Sequence, residues 1–233
     1  MSVASSANLQ AAKLRPGRVS RRSLVAEATF IIERSGGDRS ADTDRSLAVG
    51  TAAGVGERTG YPFAAAWQYQ HMDAIEIRTA TPDDAKAVEC YHDRCFTSTY
   101  SSQLLAGEFE APDREGTRQQ LLDWFQPESE FETRVAVVDG VPIAHFTVSG
   151  HHLVHLFVEP DHQGMGLGRR LLAQGEAMIA AGGHTDFELH ARVENLAAIT
   201  FYEAAGWTVT DRLIHTVEHG ISYDEHVLVK HRP

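Results

Sequence analysis

Residues His152 to Ala181 read HLVHLFVEPDHQGMGLGRRLLAQGEAMIAA, and the order of chemistry along them decides the fold. Leu153, Val154, Leu156, Phe157 and Val158 make a nearly continuous apolar run, as in a strand covered on both faces. Glu159, Pro160, Asp161 and His162 form a polar turn. The loop Gln163-Gly164-Met165-Gly166-Leu167-Gly168 then places glycines at alternate positions, so backbone can approach a ligand with no Cβ atoms screening its N–H groups. An amphipathic helix follows. The first four amides of a helix lack internal partners and sit at the positive end of its dipole, so they take a phosphate or pyrophosphate readily. Arg169 and Arg170 stand in that first turn, where positive charge costs about 0.3–1 kcal/mol per residue unless an anion is close. Strand, loop and helix together predict an anion cradle.

Other glycine loops fit less well. A dinucleotide fingerprint, G-x-G-x-x-G, needs its third glycine where Arg169 stands and an acid at the far end of the next strand, whereas Asp186 begins that strand. No G-x-x-x-x-G-K-[ST] run exists. After Gly182-Gly183, Asp186 to Ala191 reads as a strand, and Asn195 to Gly206-Trp207 as a helix closed by a C-terminal glycine. Asn195 and Tyr202 are seven apart, two turns, and project from one helical face.

These residues carry a resemblance. Gln-x-x-Gly-x-Gly between an apolar strand and an amphipathic helix resembles the coenzyme A signature of the GNAT superfamily of N-acetyltransferases. Asn195, Tyr202 and Gly206-Trp207 resemble its second signature, and the match spans about residues 72–233. The resemblance implies an α/β (α+β) fold: a central mixed, twisted sheet of six to seven strands, about four flanking helices, and splayed central strands forming a coenzyme A cleft. It implies that acetyl-CoA is the co-substrate, attacked directly by an amine in a ternary complex. The residues it assigns to acetyl-CoA are Leu156, Phe157, Val158, Gln163, Gly164, Met165, Gly166, Leu167, Gly168, Arg169, Asn195 and Tyr202. Tyr202 matches the family's usual general acid, and a phenol with a reference pKa near 10 can reprotonate a thiolate. Where some members carry a glutamate base, His190 stands; its reference pKa near 6.5 suits accepting a proton at neutral pH. His155, Glu159 and a water chain are the competing bases.

Composition sets the outer bounds. The chain has 233 residues, 42% hydrophobic and 23% charged, enough for one sizeable core. No run reaches the 18 apolar residues of a membrane span. Residues 72–233 hold twelve Lys/Arg against twenty-six Asp/Glu, net −14, so they repel nucleic acid and anionic membrane and favour cationic acceptors. Residues 1–71 hold nine against six, are rich in Ser, Ala, Gly and Arg, and show no sustained period. They read as a disordered or non-catalytic extension, with Met72 an alternative start and a transit peptide the weaker reading. Cys90 and Cys95 match neither a zinc spacing nor a disulfide, so free thiols in a reducing, cytoplasmic setting are expected.

Before the quoted stretch, Ile75 to Arg78 alternates as a strand, and Thr81-Pro82-Asp83-Asp84 opens a helix. A second helix is expected over Pro112 to Phe125. Arg134 to Val138 and Pro142 to Val148 flank the turn dipeptide Asp139-Gly140. A closing hairpin turns near Gly220, leaving an edge strand that can pair with a second copy. Thirteen histidines occur, with His151, His152 and His155 clustered, but no spacing forces a metal site and no metal is expected. The acceptor is a small cationic molecule, an amino acid or a peptide amine. A coenzyme A-binding sensor that keeps the fold without turnover is the alternative.

Overall fold

The structure is a computed structural model that describes residues 74–218 and 221–232; the N-terminal extension and Gly220 lie outside the described residues. Strand β1 (Glu76–Thr79) leads through a 3-10 turn (Pro82–Asp84) into α1 (Ala85–Thr99), α2 (Ser101–Ala106) and α3 (Arg114–Trp124). Three strands follow, β2 (Glu132–Val138), β3 (Val141–Ser149) and β4 (His152–Val158). Then come α4 (Leu167–Ala181), β5 (Asp186–Arg192), α5 (Leu196–Ala204), β6 (Thr208–Glu218) and β7 (Ile221–His231). The strands form one sheet in the order β1-β2-β3-β4-β5-β7-β6. Every neighbouring pair is antiparallel except β4 and β5.

Local chemistry explains the boundaries. The Asp84 carboxylate accepts from the Thr81 amide at 2.8 Å and from both terminal nitrogens of Arg78 at 2.7 Å, which ties β1 to the start of α1. Asp113 caps α3 by accepting from the Gly116 amide at 3.0 Å. Asp139 and Gly140 both take positive φ, 50° and 81°, the pair of left-handed residues a tight hairpin requires.

The sheet divides two cores. On one face α4 and α5 cover Phe146, Leu153, Leu156, Leu189 and Ala191. On the other, α1 and α3 cover Val135, Val137, Val154 and Phe157. The central strand supplies both. Its register against β3 runs from Ala144↔Val158 to Thr147↔His155 and then shifts to Val148↔Leu153, so Val154 is an extra residue. This bulge turns Val154 and His155 to the same side, with His155 against Trp124 at 4.7 Å between rings.

Strands β4 and β5 share one register pair, His152↔Glu188, backed by the Glu188 amide donating to the His151 carbonyl at 3.0 Å. Beyond it they part, while β5 pairs with β7 along its whole length. The result is a V whose apex is at His152 and Glu188 and whose wide end faces the glycine loop. At roughly 3.3 Å per residue, the limb from His152 to Val158 is about 20 Å long.

Candidate active site

At the wide end of the V, Gly164 and Gly166 adopt φ of +73° and +80°, values that L side chains rarely take. A Cβ built on either meets nothing within 4 Å, so what these positions keep clear is open space in front of the loop. The first main-chain bond of α4 is Arg170 N to Gly166 O at 3.1 Å. Among the described residues, the amides from Gly164 to Arg169 donate to no protein acceptor. Six donors at one helix start are the anion cradle in physical form. Arg169 and Arg170 are exposed beside it.

Main-chain alternation decides which groups of β4 face the gap. Glu159 N donates to Ile143 O at 2.8 Å, so the ladder turns Phe157 toward its partner His145 and leaves Leu156 and Val158 pointing away from β3. The Val158 carbonyl is already engaged, accepting from Gln163 Nε2 at 2.8 Å and from the Cys95 thiol at 3.2 Å. Burial pushes that thiol up to about 12, with Glu159 nearby adding to the shift, so Cys95 is a hydrogen-bond donor and not a nucleophile. Gln163 therefore pins the loop to the strand. The groups left to meet a ligand in the gap are those of Leu156 and the Val158 amide.

The two faces of the sheet carry different chemistry. On the α4 and α5 side, Asn195 caps α5 by accepting from the Ala198 amide at 3.2 Å. Its Nδ2 is buried and finds no acceptor among the described residues. Tyr202 is fully buried between Phe201 and Trp207, with ring centroids at 5.2 and 6.1 Å. Burial pushes its phenol well above the ordinary value, so it holds its proton throughout the physiological range.

On the opposite side, Glu188 and His190 project from alternate residues of β5. His190 Nε2 donates to Glu188 Oε1 at 3.1 Å, and Arg212 Nη1 donates to Glu188 Oε2 at 2.9 Å. Burial alone would raise the Glu188 carboxyl, but these two hydrogen bonds outweigh it and hold the group below its usual range. The bond to Glu188 leaves Nδ1 as the acceptor of the His190 ring. His152, across the V apex, has its pKa lowered to about 4 by burial and then by His151, against the pull of Glu188.

The structure thus places His190 beside the V apex on one face of the sheet and Tyr202 in the core on the other face. Glu159 stands at the far end of β4, tied to Arg94 of α1 and 3.4 Å from His162 Nδ1. His155 points away from the gap, its Nδ1 3.3 Å from His145 Nε2. Glu188 and Arg212 are absent from the sequence-based set. The Glu-x-His spacing carries the signal for the first, since residues two apart on a strand share a face; nothing local signals Arg212, which arrives from β6.

Comparison with known proteins agrees with this geometry. Residues 98–207 match the model of the acetyltransferase (GNAT) family. The chain is 31% identical over 94 residues to the peptidyl-lysine N-acetyltransferase YjaB of Salmonella typhimurium, covering 40% of this chain and 61% of that relative. Its fold resembles PaiA N-acetyltransferase from Thermoplasma acidophilum, solved in complex with coenzyme A. That likeness has a TM-score of 0.54 and 19% identity, over 67% of this chain and 98% of the other. Apo YjaB from Escherichia coli matches with a TM-score of 0.52 and 23% identity, over 66% and 96%. Residues 98–207 thus carry the acetyltransferase (GNAT) family match, and the sheet order, cradle and diverging strands around them have the GNAT fold.

Proposed function

We propose that the chain is an N-acetyltransferase that moves the acetyl group of acetyl-CoA onto a primary amine, with a lysine side chain of a protein or peptide as the favoured acceptor. The observation that carries this reading is the placement of the six unpaired amides at residues 164–169 at the wide end of the gap between β4 and β5. A diphosphate on those amides would let the pantetheine arm lie along Leu156 and Val158, its thioester reaching the narrowing V. The amine comes from the His190 face. As its nitrogen attacks, the new C–N bond forms, the C–S bond breaks, His190 Nδ1 takes the amine proton and the Tyr202 hydroxyl supplies one to the leaving sulfur. The Asn195 Nδ2 adds a buried donor at the start of the helix that carries Tyr202. Lysine is favoured because YjaB is a peptidyl-lysine N-acetyltransferase and because the acidic body attracts cations. No described helix is long and apolar enough to cross a membrane, and acetyl-CoA use with free thiols fits a cytoplasmic setting.

Free-thiol release from acetyl-CoA, measured across lysine peptides, polyamines, aminoglycosides and free amino acids, tests the reading. Lysine peptides should give turnover, and His190→Ala and Tyr202→Phe should each lower kcat/KM by roughly 100-fold or more. Coenzyme A binding with no thiol release from any amine would turn the chain into a sensor. Unchanged rates in both variants would remove the assigned acid and base.

A further inference from the structure

We propose that His152, Glu188 and His190 form a binding site for a divalent transition cation of the zinc class. Each offers one ligand atom, and the three atoms lie within 4.8 Å of one another. Tetrahedral zinc bonds nitrogen and oxygen at about 2.0–2.1 Å, which sets ligand atoms about 3.4 Å apart. His190 Nε2 is 3.1 Å and His152 Nδ1 is 3.8 Å from the same Glu188 Oε1, so the two separations bracket that spacing. The third separation, between His152 and His190, is within 4.8 Å, so these two side chains must draw together to close the set.

The surroundings suit a metal in three ways. His152 and Glu188 are the one register pair of β4 and β5, and His190 follows two residues along β5 on the same face. Arg212 holds Glu188 Oε2 at 2.9 Å, which leaves Oε1 as a single aimed ligand, the kind of outer support that orients metal-bound carboxylates. Two neutral imidazoles and one carboxylate make a borderline-soft set that zinc and cobalt prefer over magnesium or calcium. His152 retains 28% side-chain exposure, so a fourth position opens to solvent. The metal site also bears on the proposed chemistry. A cation on His190 Nε2 replaces the bond to Glu188, places the ring proton on Nδ1 and removes the proton acceptor. Metal occupancy and proton transfer by His190 therefore exclude each other.

The test is Co²⁺ added to the full chain after chelator treatment, followed by visible d–d absorption, with Zn²⁺ displacement and metal content measured by mass spectrometry. One equivalent with the intense bands of four-coordinate cobalt is expected. His152→Ala, Glu188→Gln and His190→Ala should each abolish the bands, and Arg212→Ala should weaken binding about 10–100-fold. His215→Ala, which removes an exposed histidine paired with Asp224, should change nothing. Circular dichroism identifies any variant that fails to fold; Glu188→Gln keeps the side-chain volume and serves as the decisive one. No uptake by the wild-type chain, or uptake that persists in all three ligand variants, overturns the site. Acetyl transfer measured in chelator is a separate readout: turnover without cobalt uptake sinks the metal site alone, and cobalt uptake without turnover sinks the transferase reading alone.

Discussion

Gly166 and Gly183 share a left-handed backbone, φ +80° and +87°, at the two ends of α4, and this permits a controlled comparison. An alanine at either should cost about 1–2 kcal/mol of strain. Only at Gly166 would the new methyl stand in the space in front of the unpaired amides. Isothermal titration with coenzyme A should therefore show Gly166→Ala weakening binding by roughly 10-fold or more, while Gly183→Ala lowers stability equally and leaves affinity intact. Equal affinity in both would mean that the loop does not grip the diphosphate. The sequence announces these positions because glycine at alternate residues before a helix has few other uses. It does not announce that Phe157 spends its main chain on β3 while Leu156 and Val158 do not, because a run of apolar residues carries no sign of which amides a neighbour takes.

Element by element, legibility follows the range of the interaction. Helix α1, the Asp-Gly hairpin and the strand-loop-helix unit are written in contiguous residues, and the elements fall within a few residues of expectation. Helix α2 has no apolar stripe of its own and buries no residue, so its sequence gives little to read. The bulge at Val154 and the convergence of Arg212 on Glu188 depend on pairing between strands far apart in sequence, which no local pattern records. Helix α4 shows the same dependence. Gly175 interrupts a strong helical pattern because its Cβ would lie 3.0 Å from Leu153 Cδ1 and 3.3 Å from Phe146 Cδ2. The helix thus sits close against the strand that forms one limb of the V. A valine there should cost about 2–3 kcal/mol by overpacking, read as a lower urea midpoint at unchanged m-value. Stability equal to wild type would show that α4 can lift from β4 freely.

For the whole molecule, the α1-side core contains titratable rings that the proposed chemistry does not use, His145 and His155 among them. His145 is fully buried and His155 nearly so, linked Nε2 to Nδ1 at 3.3 Å, and His145 Nδ1 lies 2.7 Å from the Tyr91 hydroxyl. His92 of α1, Trp124 of α3 and Phe157 pack against them. Burial lowers both histidines well below their ordinary value, with the neighbouring histidines adding to the effect. The sign follows: below about pH 6.5 the unfolded chain binds protons that the folded core refuses, so stability is complete above that pH and falls as pH drops toward the folded values. Each ring contributes a slope of about 1.4 kcal/mol per pH unit, together about 2.7. The lowered carboxyls Asp84, Glu89 and Glu188 lose their contribution only near or below pH 4.5, outside this window. Urea unfolding at pH 7.5, 6.5, 5.5 and 5.0 should show the loss. A His145→Gln/His155→Gln double variant, which keeps hydrogen-bonding groups without titrating, should flatten the slope by nearly that amount, and histidines outside this cluster cancel in the difference. Parallel curves for the two proteins would mean that the core admits protons or water, and a sheet open on that face could not keep the gap between β4 and β5 dry enough for a thioester to await its amine.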